Sequence, residues 1–319
     1  MELAALLTRR PSELKNLEEL KSVPIFDTYG QGAISFLKNE VDVAVLCGGS
    51  KTDLPKHGPF FAQAFNTVDS FDTHNHIAPY IDEKTQQKMK GYFKEMDDLA
   101  RATGHTSAIS IGWDPGTFTV EKIMATAFFP VSRAYAFYGL NEKGGLSMGH
   151  SDAVRRVKGV ADARQYTHAI PKAIERVRKG ENPDLKAGDM HWRECFVVAK
   201  PGEDLARIKN DILEEPDYFK PYRTVVNFVS QEELNTKYSA MPHDGVVIAI
   251  GETSPGKKFK IEYNCQWDSN PEATGHIMLA HARAVHRLNK EGRIGAFRPI
   301  DIASAYLHPS SFEELTKRI

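Results

Sequence analysis

The chain has 319 residues, enough for two domains with separate cores. Its 41 Lys and Arg nearly cancel 42 Asp and Glu, leaving no basic field for nucleic acid and no polybasic tail for a membrane surface, so a small-molecule ligand is the default. Cys47, Cys195 and Cys265 form no C-x-x-C pair, which argues against a disulfide framework and a zinc knuckle and for a reducing cytoplasm.

No run reaches the length of a membrane span, and the N-terminus lacks the charged-then-apolar layout of a signal peptide. Residues 3–8 read as a buried strand or short helix, ending in Arg9-Arg10 and Pro11. Residues 41–47 are a second apolar run, closed by Gly48-Gly49-Ser50; residues 67–72 are a third and 108–111 a fourth. Residues 92–102 carry Phe93, Met96, Leu99 and Ala100 at helical spacing. Strands alternating with helices predict a parallel sheet of Rossmann type, which presents ligand-binding residues at the carboxyl ends of its strands.

Each strand ends in residues that suit this edge. Gly48-Gly49-Ser50 lets a phosphate or ribose approach the backbone, and Arg9-Arg10 could hold a 2′-phosphate. A Gly-Gly turn and solvated arginines are the ordinary alternatives. The glycine-rich turn that usually opens such a domain is not found: Gly30-Gln31-Gly32 follows no apolar strand, and Met1 starts inside what looks like the second strand. Asp72 and Asp114 follow neighbouring strands, so both could face one cleft, hold an ammonium group and serve as base. Crowding would then raise one pKa. Two unrelated turn or cap acids would look the same.

From about Thr119 the pattern changes to strand-like runs at 133–138, 193–199, 224–229 and 245–251 with few long helices between them. Residues 258–267 alternate, with Phe259, Ile261, Tyr263, Cys265 and Trp267 on one face, as a half-buried antiparallel strand does. Cys265 on that face reads as core. Residues 144–156 read as a glycine-punctuated loop feeding a helix with Ser151 or Asp152 as cap, whose free amides could receive a carboxylate. His150-Ser151-Asp152 is no triad, because three consecutive residues cannot converge in relay. Arg193 could fork a carboxylate. His243 and Asn270 sit at the start of a strand and of a helix, and all three also suit a surface or capping role. His74, His76, His281 and His286 form no zinc-spaced set, so no metal is expected. A helix over 272–290 ends at Gly292.

Together these segments resemble one family, the meso-diaminopimelate dehydrogenases. The resemblance rests on Leu46-Cys47-Gly48-Gly49-Ser50, Thr67-Val68-Asp69-Ser70-Phe71-Asp72, Gly112-Trp113-Asp114-Pro115-Gly116, Ser147-Met148-Gly149-His150-Ser151-Asp152-Ala153, Gln165-Tyr166-Thr167, Arg193-Glu194-Cys195-Phe196-Val197-Val198, Met241-Pro242-His243 and Ser269-Asn270-Pro271, in the family's order. It implies a dinucleotide-binding domain over 1–118 that lacks its first strand and glycine-rich loop, an α+β antiparallel substrate and dimerisation domain over 119–270, and a helical segment over 271–319 returning to the first.

It also implies a homodimer and NADP-dependent oxidative deamination at the D-centre of meso-2,6-diaminoheptanedioate, giving L-2-amino-6-oxoheptanedioate and ammonia. The residues it implies for NADP are Thr8, Arg9, Arg10, Cys47, Gly48, Gly49, Ser50, Ser70, Phe71, Asp72, Ile111, Gly112, Trp113, Asp114 and Pro115. For substrate they are Asp72, Asp114, Tyr138, Met148, Gly149, Thr167, Arg193, His243 and Asn270, with Asp114 and Asp72 as the catalytic carboxylates, one of them the base. Tyr138 stands where many members carry tryptophan and Met148 where many carry glutamine, and the segments around 141–143 and 83–94 are unusual. Two further readings stay open: a truncated homologue that only binds amino acid, and a Rossmann oxidoreductase acting on a related amino or keto acid.

Overall fold

The computed structural model describes every residue except Tyr29, Gly30, Glu83, Lys84 and Asp217, and the side chain of Gln31. The start of the Gly30-Gln31-Gly32 stretch and of the 83–94 segment therefore lies outside the described residues. The chain forms two compact units, Met1–Pro115 with Ile277–Ile319, and Gly116–His276.

In the first unit, β1 (Leu6–Thr8) pairs in parallel with β2 (Ile25–Asp27), a three-residue strand the apolar pattern does not reveal. β3 (Val43–Leu46) and β4 (Asn66–Asp69) are parallel, with Val45 opposite Val68. A short antiparallel ladder, β5 (Tyr80–Ile81) with β6 (Lys88–Met89), precedes the helix Tyr92–Thr103. That helix buries Met96 and Ala100 completely, and Gly104 ends it at φ 74°, a left-handed turn that glycine adopts without strain. β7 (Thr106–Ala108) then lies parallel to β4.

Both strand ends differ from expectation. The 67–72 run stops as a strand at Asp69, whose carboxylate accepts from the Phe71 amide and turns the chain. The 108–111 run stops at Ala108, because Ser110 takes φ 59° and the chain leaves the ladder there. Trp113–Thr117 is one wide helical turn that runs into the helix Phe118–Ala127, an element the sequence pattern does not mark.

The second unit holds β8 (Val131–Tyr138), β9 (Gly145–Leu146), β10 (Val160–Ala169), β11 (His191–Ala199), β12 (Thr224–Phe228), β13 (His243–Ser254) and β14 (Lys257–Trp267). One sheet runs β12-β11-β10-β9 and the other β14-β13-β8. Every pairing is antiparallel except that of β11 with β12. The alternation expected of β14 is present at Phe259, Tyr263, Cys265 and Trp267, whereas Ile261 is 39% exposed. Helices of seven to nine residues pack on these sheets: Ile208 and Ile212 of Leu205–Leu213 are fully buried against Val197 and Val226. Each such side chain contributes about 1.5–3 kcal/mol.

The helix Asn270–Lys290 leads back to the first unit, and Gly292 at φ 74° follows its end. β15 (Gly295–Phe297) then adds to β7, completing a four-stranded parallel sheet in the order β15-β7-β4-β3. Met278, Val285 and Leu288 cover one face over Val68 and Ala108, while Leu54, Phe61 and Met96 belong to a second core with Leu46 and Ile109. Two covered faces make this a Rossmann-like layer arrangement.

Candidate active site

At the carboxyl edge of the parallel sheet, the loops after β3, β4 and β7 carry the expected cofactor residues. Gly48 and Gly49 follow β3; a Cβ on Gly48 would come within 2.7 Å of Asp53, and the Gly49 amide donates to Asp53 at 3.1 Å. Ser50 Oγ accepts from the Asp72 amide at 2.7 Å, tying the β3 loop to the β4 loop. Cys47 is exposed, while Phe71, Ile111, Gly112 and Trp113 are buried. Asp72 and Asp114 are both half-buried, three and six residues past the ends of adjacent strands, and Pro115 follows Asp114 through a cis bond.

Thr8 ends β1, and its hydroxyl accepts from the Arg10 amide at 3.1 Å. The Arg9 guanidinium forks Asp53 at 3.2 and 3.1 Å, and Arg10 pairs with Glu13 at 3.3 Å. Both arginine side chains are about two-thirds exposed, so an anion can exchange with these acids. Asp53 went unnoticed in the sequence, where it looks like an ordinary helix cap.

The second unit gathers another set. Thr167 and Arg193 are directly opposite on β10 and β11. Arg193 is 7% exposed; its Nη1 donates to Thr167 Oγ1 and its guanidinium lies 4.1 Å from the Tyr222 ring centroid. Its Nε is buried without a hydrogen-bond partner. Burial lowers its pKa, and the groups that act against this are Tyr222, Cys195 and Tyr138, none of them a carboxylate. An arginine stays protonated there.

Tyr138 ends β8, and its amide donates to His191 Nε2 at 2.9 Å while its ring stacks on His191 and faces His243 at 6.4 Å. Burial pushes His191 down to about 3, helped by the Arg193 charge, and His243 down to about 4, with Asp244 acting against it. Both rings are neutral at neutral pH. Asn270 is buried, donating to the Leu146 carbonyl at 2.9 Å while its amide reaches Met241 at 2.8 Å.

Arg193, His243 and Asn270 are thus buried, contrary to a surface role: Arg193 lies on β11 between β10 and β12, His243 on β13 opposite Trp267 of β14, and Asn270 against the Leu146 carbonyl. The helix Met148–Arg155 is capped by Ser147, not by Ser151 or Asp152, and Ser147 Oγ accepts from the His150 amide at 3.4 Å. Ser151 sits one turn inside, where its hydroxyl reaches back to the Ser147 carbonyl. Met148, 37% exposed, and half-buried Gly149 therefore form the first turn, where helical amides lack intrahelical partners. The unusual 141–143 segment starts beside Asp244, which accepts from the amides of Leu140 and Asn141 at 2.8 and 3.1 Å. Tyr222 and His191 were missed; nothing in their neighbourhood marks them. Among the described residues no cluster could hold a metal ion and no helix is long and apolar enough to cross a membrane.

Residues 112–269 match the family model of the diaminopimelic acid dehydrogenase C-terminal domain. A meso-diaminopimelate D-dehydrogenase of Acetivibrio thermocellus is 45% identical over 322 aligned residues, covering 100% of this chain and 90% of that protein. One of Corynebacterium glutamicum is 38% identical, covering 92% and 86%. The chain belongs to the meso-diaminopimelate D-dehydrogenase family. Among solved dehydrogenases of this kind, that of C. glutamicum in complex with DAP superposes with TM-score 0.86 at 36% identity, covering 100% of this chain and 91% of that one. An engineered D-amino acid dehydrogenase bound to NADP+ gives 0.85 at 35% identity, with the same coverage.

Proposed function

We propose that this protein is a meso-diaminopimelate D-dehydrogenase that reversibly deaminates meso-2,6-diaminoheptanedioate with NADP, yielding L-2-amino-6-oxoheptanedioate and ammonia. The observation that carries this reading is the buried Arg193, a cation beside Thr167 that faces no carboxylate among the described residues, in a chain of this family. Such a guanidinium suits a substrate carboxylate, which it can fork. Neutral His243, Asn270 and the first-turn amides of Met148 and Gly149 add uncharged polar contacts, and Tyr138 adds an apolar wall.

The residues at the sheet edge fit NADP. Arg9 and Arg10 provide exchangeable cations for a 2′-phosphate, the Gly48-Gly49-Ser50 turn permits close backbone approach, and Ser70, Phe71 and the residues from Ile111 to Pro115 line the next two loops. When bound, the nicotinamide ring supplies a hydride acceptor. Asp72 and Asp114 are the carboxylates for the substrate ammonium. Hydride leaves a carbon only when the nitrogen lone pair is free to form the C=N bond. Asp114 or Asp72 therefore takes a proton from the ammonium, directly or through water, and passes it to solvent; once the C=N bond has formed it takes a proton from the water that attacks the iminium carbon and returns it to the carbinolamine nitrogen, which departs as ammonia while the hydroxyl proton goes to solvent and leaves the C=O.

Absorbance of reduced nicotinamide, followed with meso-diaminopimelate and NADP, tests the reading, with released ammonia as a second product. Turnover with meso-diaminopimelate and little with a panel of other D-amino acids is the expected result. A folded protein inert toward it, or one that prefers another D-amino acid, overturns it. We also infer a homodimer acting in the cytoplasm; a sedimentation mass of one chain at assay concentration would exclude the first.

A further inference from the structure

Asp69 ends β4 fully buried, and none of the roles above uses it. Its Oδ1 accepts from two backbone amides, Phe71 at 3.0 Å and Ser110 at 3.1 Å, and its Oδ2 accepts from the Tyr92 hydroxyl at 2.8 Å. Its carbonyl accepts from the Ile111 amide at 2.8 Å. One residue thus binds the start of the loop carrying Asp72 and the start of the loop carrying Asp114. The second attachment depends on Ser110 adopting φ 59°, a conformation that serine rarely takes. Phe71 stacks on Tyr92 with ring centroids 4.0 Å apart, so the clamp sits against a rigid aromatic pair on the helix Tyr92–Thr103.

A buried acid is a poor choice for stability alone, since burial penalises its ionised form and pushes this carboxyl up to about 6. What the carboxylate offers is acceptor capacity for three donors on three segments. We propose that Asp69 is a positioning residue of the dehydrogenase, fixing the two sheet-edge loops in one register so that Asp72, Asp114 and the cofactor contacts keep their spacing. This rests on the function proposed above.

The groups facing Asp69 are Tyr92 from the helix Tyr92–Thr103 and the amides of Phe71 and Ser110. Glu95 acts on Tyr92, whose hydroxyl also reaches the Leu54 carbonyl of the helix Leu54–Ala62 at 3.4 Å. Tyr92 stays protonated, because burial and the Asp69 charge raise its pKa well above the ordinary value.

The test compares the full-length protein with Asp69→Ala and Asp69→Asn. Asparagine keeps one acceptor oxygen for the two amides and can donate to the Tyr92 oxygen. In Asp69→Ala, amide exchange in residues 70–72 and 110–112 should quicken at least about tenfold, and kcat/KM for NADP should fall about ten- to a hundredfold. In Asp69→Asn, kcat/KM should stay within about threefold of wild type at neutral pH. A protonated Asp69 keeps an acceptor oxygen for the two amides and can donate to the Tyr92 oxygen as asparagine does, so between about pH 7 and pH 5 the kcat/KM profiles of wild type and Asp69→Asn should stay within about threefold of each other. The 2′-phosphate titrates in both, so only the difference between the profiles counts.

A folded Asp69→Ala with loosened loops but wild-type kcat/KM overturns the proposal, as does unchanged exchange. If Asp69→Ala does not fold, Asp69→Asn decides: a loss of kcat/KM beyond about threefold with unchanged amide exchange in both loops overturns it, because the carboxylate then acts other than by holding them. Absence of wild-type turnover overturns the function and this proposal together, whereas turnover unaffected by Asp69→Ala overturns this one alone.

Discussion

Replacing Arg193 by leucine separates binding from stability. Arg193 is 7% exposed, is held by Thr167 and the Tyr222 ring, and pairs with no carboxylate among the described residues. A desolvated cation of this kind costs folding free energy, and a well-packed apolar replacement of similar volume is neutral or stabilising by about 1–4 kcal/mol. Leucine is shorter and leaves part of that volume empty, so the expected gain lies at the low end. If the guanidinium binds a substrate carboxylate, its loss removes a buried charge-assisted fork worth about 2–5 kcal/mol, or about thirtyfold to several thousandfold in kcat/KM. The assay pairs urea denaturation followed by circular dichroism with initial rates over a range of diaminopimelate concentrations. A loss of more than about 2 kcal/mol in stability would show that Arg193 is a structural group. A kcat/KM within about threefold of wild type would show that it does not hold the substrate.

Arg9→Gln should weaken NADP about tenfold and leave NAD nearly unchanged, because only the 2′-phosphate uses that charge; equal losses for both would remove Arg9 from that role. Gly139 has φ 71°, and a Cβ there would overlap the Thr167 carbonyl oxygen. Gly139→Ala should therefore lower stability by more than about 1 kcal/mol and raise KM for diaminopimelate, as thermal melting and initial rates would show. His191 and His243, at about 3 and about 4 against an ordinary 6.5, take up protons when unfolded that the folded chain refuses. Their contribution is complete above pH 6.5 and falls as the pH drops toward about 4, at about 2.7 kcal/mol per pH unit for the pair. Asp69, raised to about 6, has the opposite sign, adding stability to its own unit as the pH falls from about 6 to about 4. His191→Gln should halve the slope measured by denaturation of the second unit; an unchanged slope would refute the assignment.

Regular alternation and glycine-closed apolar runs made β3 and β14 readable, since each element's partner lies on a face that its own pattern defines. β2 and β15 are three residues long and exist only through their ladders with β1 and β7, which local pattern does not contain. Ser147 and Ser151 are equally good capping residues by type; which one caps depends on where β9 ends and the helix can begin. Arg193 looks like any strand cation until β10 and Tyr222 close over it. Asp69 stood in the quoted motif without a role, because only the folded chain brings the Ser110 amide and Tyr92 hydroxyl to it.

The last strand of the parallel sheet, β15, pairs with a strand nearly 190 residues earlier: Gly295 lies opposite Thr106. During synthesis from the N-terminus, β7 therefore emerges with one hydrogen-bonding edge open and keeps it open while the whole second unit is made. Residues 116–276 can complete their own core first, and the first unit closes only when β15 is free to pair with β7. The order of assembly is thus the reverse of the order of synthesis. Nascent chains arrested before Gly295 should carry a finished second unit beside an unsealed sheet, the state most exposed to edge-to-edge aggregation.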